Sequence, residues 1–204
     1  MIPEASWVLL EQVGTVLAGL LGVKLLTSIL DVSQFGYLAL ANSIMALVGM
    51  NLFGPFKQGF MRFWAISKDE ETLNVFYAVS DKFAKYICYF TVIAVPLVFL
   101  LIYRFKNLEW ATLIAISLIA GALTGLFGLR VGIFIAARQR RRSALFNISI
   151  AFSRLFIALC LLILIRPSAT VVILGYTLAS LLFFLIAQKF YSAMVSQKKH
   201  RSPN

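Results

Sequence analysis

Residues Trp110–Leu129, WATLIAISLIAGALTGLFGL, run for twenty positions without a charged side chain. At ~1.5 Å of rise per residue, a helix of that length covers ~30 Å, the hydrocarbon thickness of a bilayer. A strand of a membrane barrel needs alternating apolar and polar positions over ~10 residues, and this continuous apolar run excludes it. The stretch therefore sets the fold class as helix crossing a membrane.

Five similar runs flank it. The six predicted spans are 5–30, 35–64, 86–103, 110–137, 143–165 and 167–188, with the fourth ending between Leu129 and Ala137. The chain reads as an all-α membrane protein, a bundle of about six transmembrane helices over residues 1–192, followed by a basic tail at 193–204. Composition agrees. Hydrophobic residues make up 61% and charged residues 13%, with a mean hydropathy of +0.90. A soluble domain has about 45–50% and about 25%, so there is too little polar surface here to cover a water-soluble globule. The start, Met-Ile-Pro-Glu, lacks the basic region of a signal peptide, so the first run is expected to stay as a helix.

The formal net charge of +11 does not indicate a nucleic-acid partner, because Lys and Arg sit in the gaps between apolar runs rather than on one folded face. With the N-terminus inside, twelve face the cytoplasm: Arg62, Lys68, Lys82 and Lys85, then Arg138, Arg140, Arg141 and Arg142, then Lys189, Lys198, Lys199 and Arg201. Three face outward: Arg104, Lys106 and Arg166. The positive-inside rule then puts both termini in the cytoplasm.

Ser67-Lys68-Asp69-Glu70 has the form of a capping box, and Leu73, Phe76, Val79 and Phe83 follow at helical spacing. This predicts a short amphipathic helix on the inner interface, an irregular loop being the alternative. Glycines cluster in the first span (Gly14, Gly19, Gly22), the second (Gly49, Gly54, Gly59) and the fourth (Gly121, Gly125, Gly128, Gly132), so those three spans are expected to pack closely together. Gly54-Pro55 and Pro96 predict kinks. Cys88 and Cys160 read as packed thiols.

No enzyme signature emerges, and neither a cofactor nor a metal is expected. The single histidine, His200, is near the end of the chain, and the acidic residues form no paired set inside a span. Glu11 is the one intramembrane acid. The spans hold cations instead. Arg154 lies twelve positions from both Arg142 and Arg166, ~18 Å from each flank, at the bilayer centre. Arginine there costs at least ~2.5–3.5 kcal/mol and must face a polar cavity or a partner: an anionic ligand, or a structural link to a neighbouring helix. Arg130 and Lys24 are lesser candidates for a substrate contact. Lys57 is expected to reach the inner headgroups, and Asn42, Asn51 and Asn147 to bond between helices.

Three segments resemble a known family. Segment 27–40, TSILDVSQFGYLAL, is similar to the stretch between the first two helices of polysaccharide and O-antigen flippases, members of the multidrug/oligosaccharidyl-lipid/polysaccharide exporter superfamily. Segment 54–63, GPFKQGFMRF, resembles their glycine-rich end of helix two. Segment 136–155, AARQRRRSALFNISIAFSRL, resembles their basic connection between the fourth and fifth helices, which leads into a helix with a further Arg. The chain departs from the pattern at Ser28, where the family often has Arg, and in having one six-helix lobe rather than two. The resemblance implies one lobe of a two-lobed flippase fold in the cell inner membrane, moving a lipid-linked oligosaccharide or polysaccharide precursor. Its implied partners are membrane lipid, an anionic lipid-linked glycan, and a homodimer mate or second-lobe protein. A non-transporting member of a polysaccharide assembly complex and a drug or cation exporter of the same superfamily are the alternatives, the last needing an acidic site.

Overall fold

The computed structural model describes residues 4–70 and 72–199. Helix α1 covers Glu4–Ile29. The second span is composite: α2 (Val32–Ala46), a π-helical segment (Leu47–Leu52) and α3 (Phe53–Asp69). Then follow α4 (Leu73–Phe105), α5 (Leu108–Ala136), α6 (Arg140–Leu164) and α7 (Ala169–Lys199). Six of the resulting segments are long and apolar enough to cross a membrane, and no strand occurs among the described residues. The protein is an all-α, multi-pass bundle.

Short connections make the helices alternate in direction, and local chemistry closes each turn. Asp31 caps α2 by accepting the Gln34 amide at 2.7 Å, which holds its carboxyl below the usual carboxylate range. Asn107 caps α5 through the Trp110 amide. At the end of α5 the Gln139 amide donates to the Phe134 carbonyl and the Arg138 amide to Ile135. These are the two bonds of a Schellman motif, formed with Arg138 rather than glycine in the left-handed region at φ 58°. At one end of the bundle Gln34 joins Glu109 and the Ala169 amide; at the other, Arg141 covers the Trp7 ring.

Helix α5 is the axis, buried along most of its length between α4, α7 and the composite second span. Its glycines allow that approach. A Cβ on Gly121 would lie 2.9 Å from Val48 Cβ, and one on Gly125 would overlap the Phe53 ring. Gly175 of α7 fits against the Ala158 backbone of α6, where a Cβ would come within 2.7 Å of Cα. The expected close packing of the first span against the second and fourth is not formed: α1 barely touches α2 and does not touch α5. Instead α1 packs along α6, Gly14 against Ile148 and Gly22 against Leu155.

Four further expectations are corrected. The capping box does not form, since α3 continues to Asp69; the next helix starts at Leu73 and runs unbroken through Pro96 as α4. The interfacial helix is thus the first part of the third span, and its buried face is Phe76, Tyr77, Ser80 and Ala84, with Val79 exposed. The sixth span continues helically to Lys199, beyond the expected end at 188; the remainder of the basic tail, with His200, lies outside the described residues. Cys88 is exposed rather than packed. The irregularity in the second span falls just before Gly54-Pro55. Pro55 has no amide hydrogen for the Asn51 carbonyl, and the turns upstream widen to π geometry.

Candidate functional site

Arg154 lies fourteen residues from the start of α6 and ten from its end, ~21 and ~15 Å along the axis. Its guanidinium donates to Thr124 Oγ1 of α5 at 2.5 Å and to Ser180 Oγ of α7 at 2.9 and 3.3 Å. Each hydroxyl spends its own proton on a carbonyl one turn back, Thr124 on Ala120 and Ser180 on Tyr176, and so presents lone pairs to the cation. These partners satisfy hydrogen bonds but are neutral. Among the described residues no carboxylate lies within 4.0 Å of Arg154.

Arg154 borders two hollows. One, of about 450 Å³, lies between the composite second span, α5 and α6, with Asn42, Gly49, Lys57, Thr124 and Gly128 in its wall. The other, of about 370 Å³, lies toward α1 and is bordered by Thr15, Gly19, Asn42 and Tyr176. Asn42 and Arg154 belong to both. The hollows open because α1 leans on α6 while the second span leans on α5, so that α1 and α2 barely touch. The π segment forms part of the wall, and Gly128 leaves open space where a side chain would stand.

One more charge borders this space. The Lys57 stem of α3 lies over Gly132, and the residue lines the larger hollow. Glu11 of α1 accepts the Asn147 amide of α6 at 2.7 Å and lines neither hollow.

The three cations singled out from the sequence do not meet. Arg154 alone borders the hollows. Arg130 is buried in a separate cluster, where it donates to Gln188 at 2.7 Å, Ser80 at 3.0 Å and Asp81 at 2.6 Å, and covers the Tyr191 ring at 4.1 Å. Lys24 is exposed and lines neither hollow. Sequence reasoning missed Asn42 and Lys57 as wall residues. Of the three asparagines, Asn147 does bond between helices; the side chain of Asn42, read the same way, has no hydrogen-bond partner among the described residues. The signal for Lys57 was present in its position within an apolar run, but the nearby Arg62 made the headgroup reading attractive.

Fold and site together define a polytopic helical membrane protein with a cation in a hollow at mid-bundle. No family model matches the chain, and no curated protein or solved structure matches it significantly.

Proposed function

We propose that the chain is a flippase-like transport unit for a lipid-linked oligosaccharide or polysaccharide precursor in the cell inner membrane, with both termini cytoplasmic. One observation carries the reading: Arg154, at the middle of a membrane-crossing helix, borders open space and has neutral partners only. A guanidinium there is costly, neutral hydroxyls leave its charge uncompensated, and its planar fork suits phosphate oxygens. Tyr176, Asn42 and Thr15 supply further polar groups for a glycosyl phosphate. The hollows are half a cavity. A second copy, or a second-lobe protein, related by an axis along the membrane normal closes them; an even number of spans permits this, because it returns the chain to its starting side.

The test uses the purified full chain in vesicles containing a fluorescent prenyl-diphosphate-linked sugar. Accessibility to an impermeant quencher is followed over time, with crosslinking to read assembly. Protein-dependent transbilayer movement by a dimer supports the proposal. Binding without movement points to a non-transporting partner, and the absence of both overturns it.

A further inference from the structure

The turn between α5 and α6 concentrates positive charge against the local rules of helix chemistry. Arg140, Arg141 and Arg142 open α6, at the end where the helix dipole favours anions. Arg138 precedes them in a left-handed backbone that suits glycine better. No side chain caps this helix end, and the amides of Arg140 and Arg141 have no acceptor among the described residues. Nor does any of the four guanidiniums lie within 4.0 Å of a carboxylate among those residues; Glu4 and Glu11 of α1 do not pair with them. Aromatic rings hold two of them instead. Arg141 covers Trp7 of α1 at 5.7 Å, and Arg142 covers Phe190 of α7 at 6.0 Å. Unpaired cations at a helix N-terminus repel one another and the dipole, and an anion seated there relieves both.

From this charge an apolar stripe continues along α6. Arg141, Leu145, Phe152, Phe156 and Ile163 follow at spacings of four and seven, which is one face of a helix, and all five are exposed. Phe152, Phe156 and Leu159 line an open hollow of about 420 Å³. Phe152 is eleven residues from Arg141, ~16 Å along the axis. That is the depth of one leaflet, half of a ~30 Å hydrocarbon core. Trp7 stands level with Arg141, as aromatic residues do at a membrane interface. We propose that the α1–α6 face holds an anionic diacyl phospholipid of the adjoining leaflet. Its phosphate lies on Arg141 and the free amides of α6, and one acyl chain follows the stripe into the hollow. Arg138 and Arg140 add positive charge at the rim. Nothing in this site depends on Arg154 or on transport; the lipid is a resident of the fold, not its cargo.

The experiment titrates the delipidated full chain in detergent with phosphatidylglycerol or phosphatidylcholine of matched chains. Native mass spectrometry counts the retained lipid, and circular dichroism checks folding. The wild type is expected to hold one phosphatidylglycerol about tenfold more tightly than phosphatidylcholine. Arg141→Gln is expected to weaken phosphatidylglycerol about fivefold, one surface cation's worth, and to leave phosphatidylcholine unchanged. Lys85→Gln, an exposed cation away from the turn, is expected to change neither. Arg138→Gly, which the left-handed backbone favours, gives a smaller loss in the same direction and carries the test if Arg141→Gln does not fold. Leu159→Trp fills the hollow and is expected to weaken long-chain phosphatidylglycerol severalfold while sparing the dihexanoyl form. Equal retention of the two lipids by the wild type overturns the site, as do equal losses from Arg141→Gln and Lys85→Gln, or no loss from Arg138→Gly. Complete displacement by millimolar inorganic diphosphate shows a free-anion site and overturns the assignment to lipid. Unchanged long-chain affinity in Leu159→Trp overturns the acyl path.

Discussion

Replacing Arg130 with Met removes a cation from the most fully paired polar cluster in the bundle, and its cost can be worked from the contacts. Three interhelical hydrogen bonds, to Gln188, Ser80 and Asp81, are lost together with the Tyr191 ring contact at 4.1 Å. Interhelical hydrogen bonds in membrane bundles average ~0.6 kcal/mol, so three contribute about 2 kcal/mol. The cation–ring contact adds ~0.5–1 kcal/mol. The charge pair itself adds less than a buried pair does, because the Asp81 side chain is 45% exposed and stays hydrated when its partner is removed. Methionine also recovers part of the arginine's desolvation cost, about 1 kcal/mol. The net expectation is a loss of about 2 kcal/mol, roughly a thirtyfold shift in the unfolding equilibrium. Reversible unfolding in mixed detergent–SDS micelles, followed by tryptophan fluorescence, measures it. Asp81→Asn is expected to cost less than 1 kcal/mol, and the double variant little more than Arg130→Met alone. Stability within about 0.5 kcal/mol of wild type, combined with loss of transport, would refute this reasoning and move Arg130 into the transport path.

Three other outcomes are expected. Gly125→Leu forces a side chain into the Phe53 ring and will cost about 1–3 kcal/mol in the same unfolding assay, whereas Gly128→Ala, with open space before it, will be nearly neutral. With Cys88 and Cys160 replaced by Ala, a cysteine at position 106 will react with an impermeant thiol reagent in intact cells and one at position 140 will not; the reverse pattern inverts the orientation. The Asp31 cap is stabilised as carboxylate, since its carboxyl is lowered by the Gln34 amide; its contribution is present at neutral pH and fades as pH falls through that lowered value. Asp31→Asn, a comparable cap, is expected to remove this acid dependence of thermal stability while preserving it at pH 7.

The spans were legible because membrane burial writes itself into composition: twenty uncharged residues at 110–129 admit one spanning structure. Packing partners were less so. Glycine marks a close approach without naming what approaches, so Gly121 and Gly125 were matched correctly with the second span while Gly14 and Gly22 found α6 instead. The Ser67–Glu70 pattern failed because helix α3 runs through it, and an N-cap needs a non-helical residue at that position. Within the site, the depth of Arg154 could be counted from its flanking arginines. The commitment of Arg130 could not, since Asp81 and Gln188 lie 49 and 58 residues away along the chain. Nor does the sequence show that Asn42 stands in the wall of an opening, a matter of how α1 and α2 diverge.

Transport per folded molecule by Arg154→Ala and Arg154→Lys, in vesicles carrying a prenyl-diphosphate-linked sugar, tests the central claim most directly. Arg154→Ala is expected to insert and fold at near wild-type levels, losing bonds to two hydroxyls only, and to abolish movement of the lipid. Arg154→Lys is expected to restore a fraction, because an ammonium lacks the bidentate fork. Wild-type transport by folded Arg154→Ala would contradict the account; a variant that fails to fold, with full activity in the residual folded fraction, would make Arg154 a structural bolt between α5, α6 and α7.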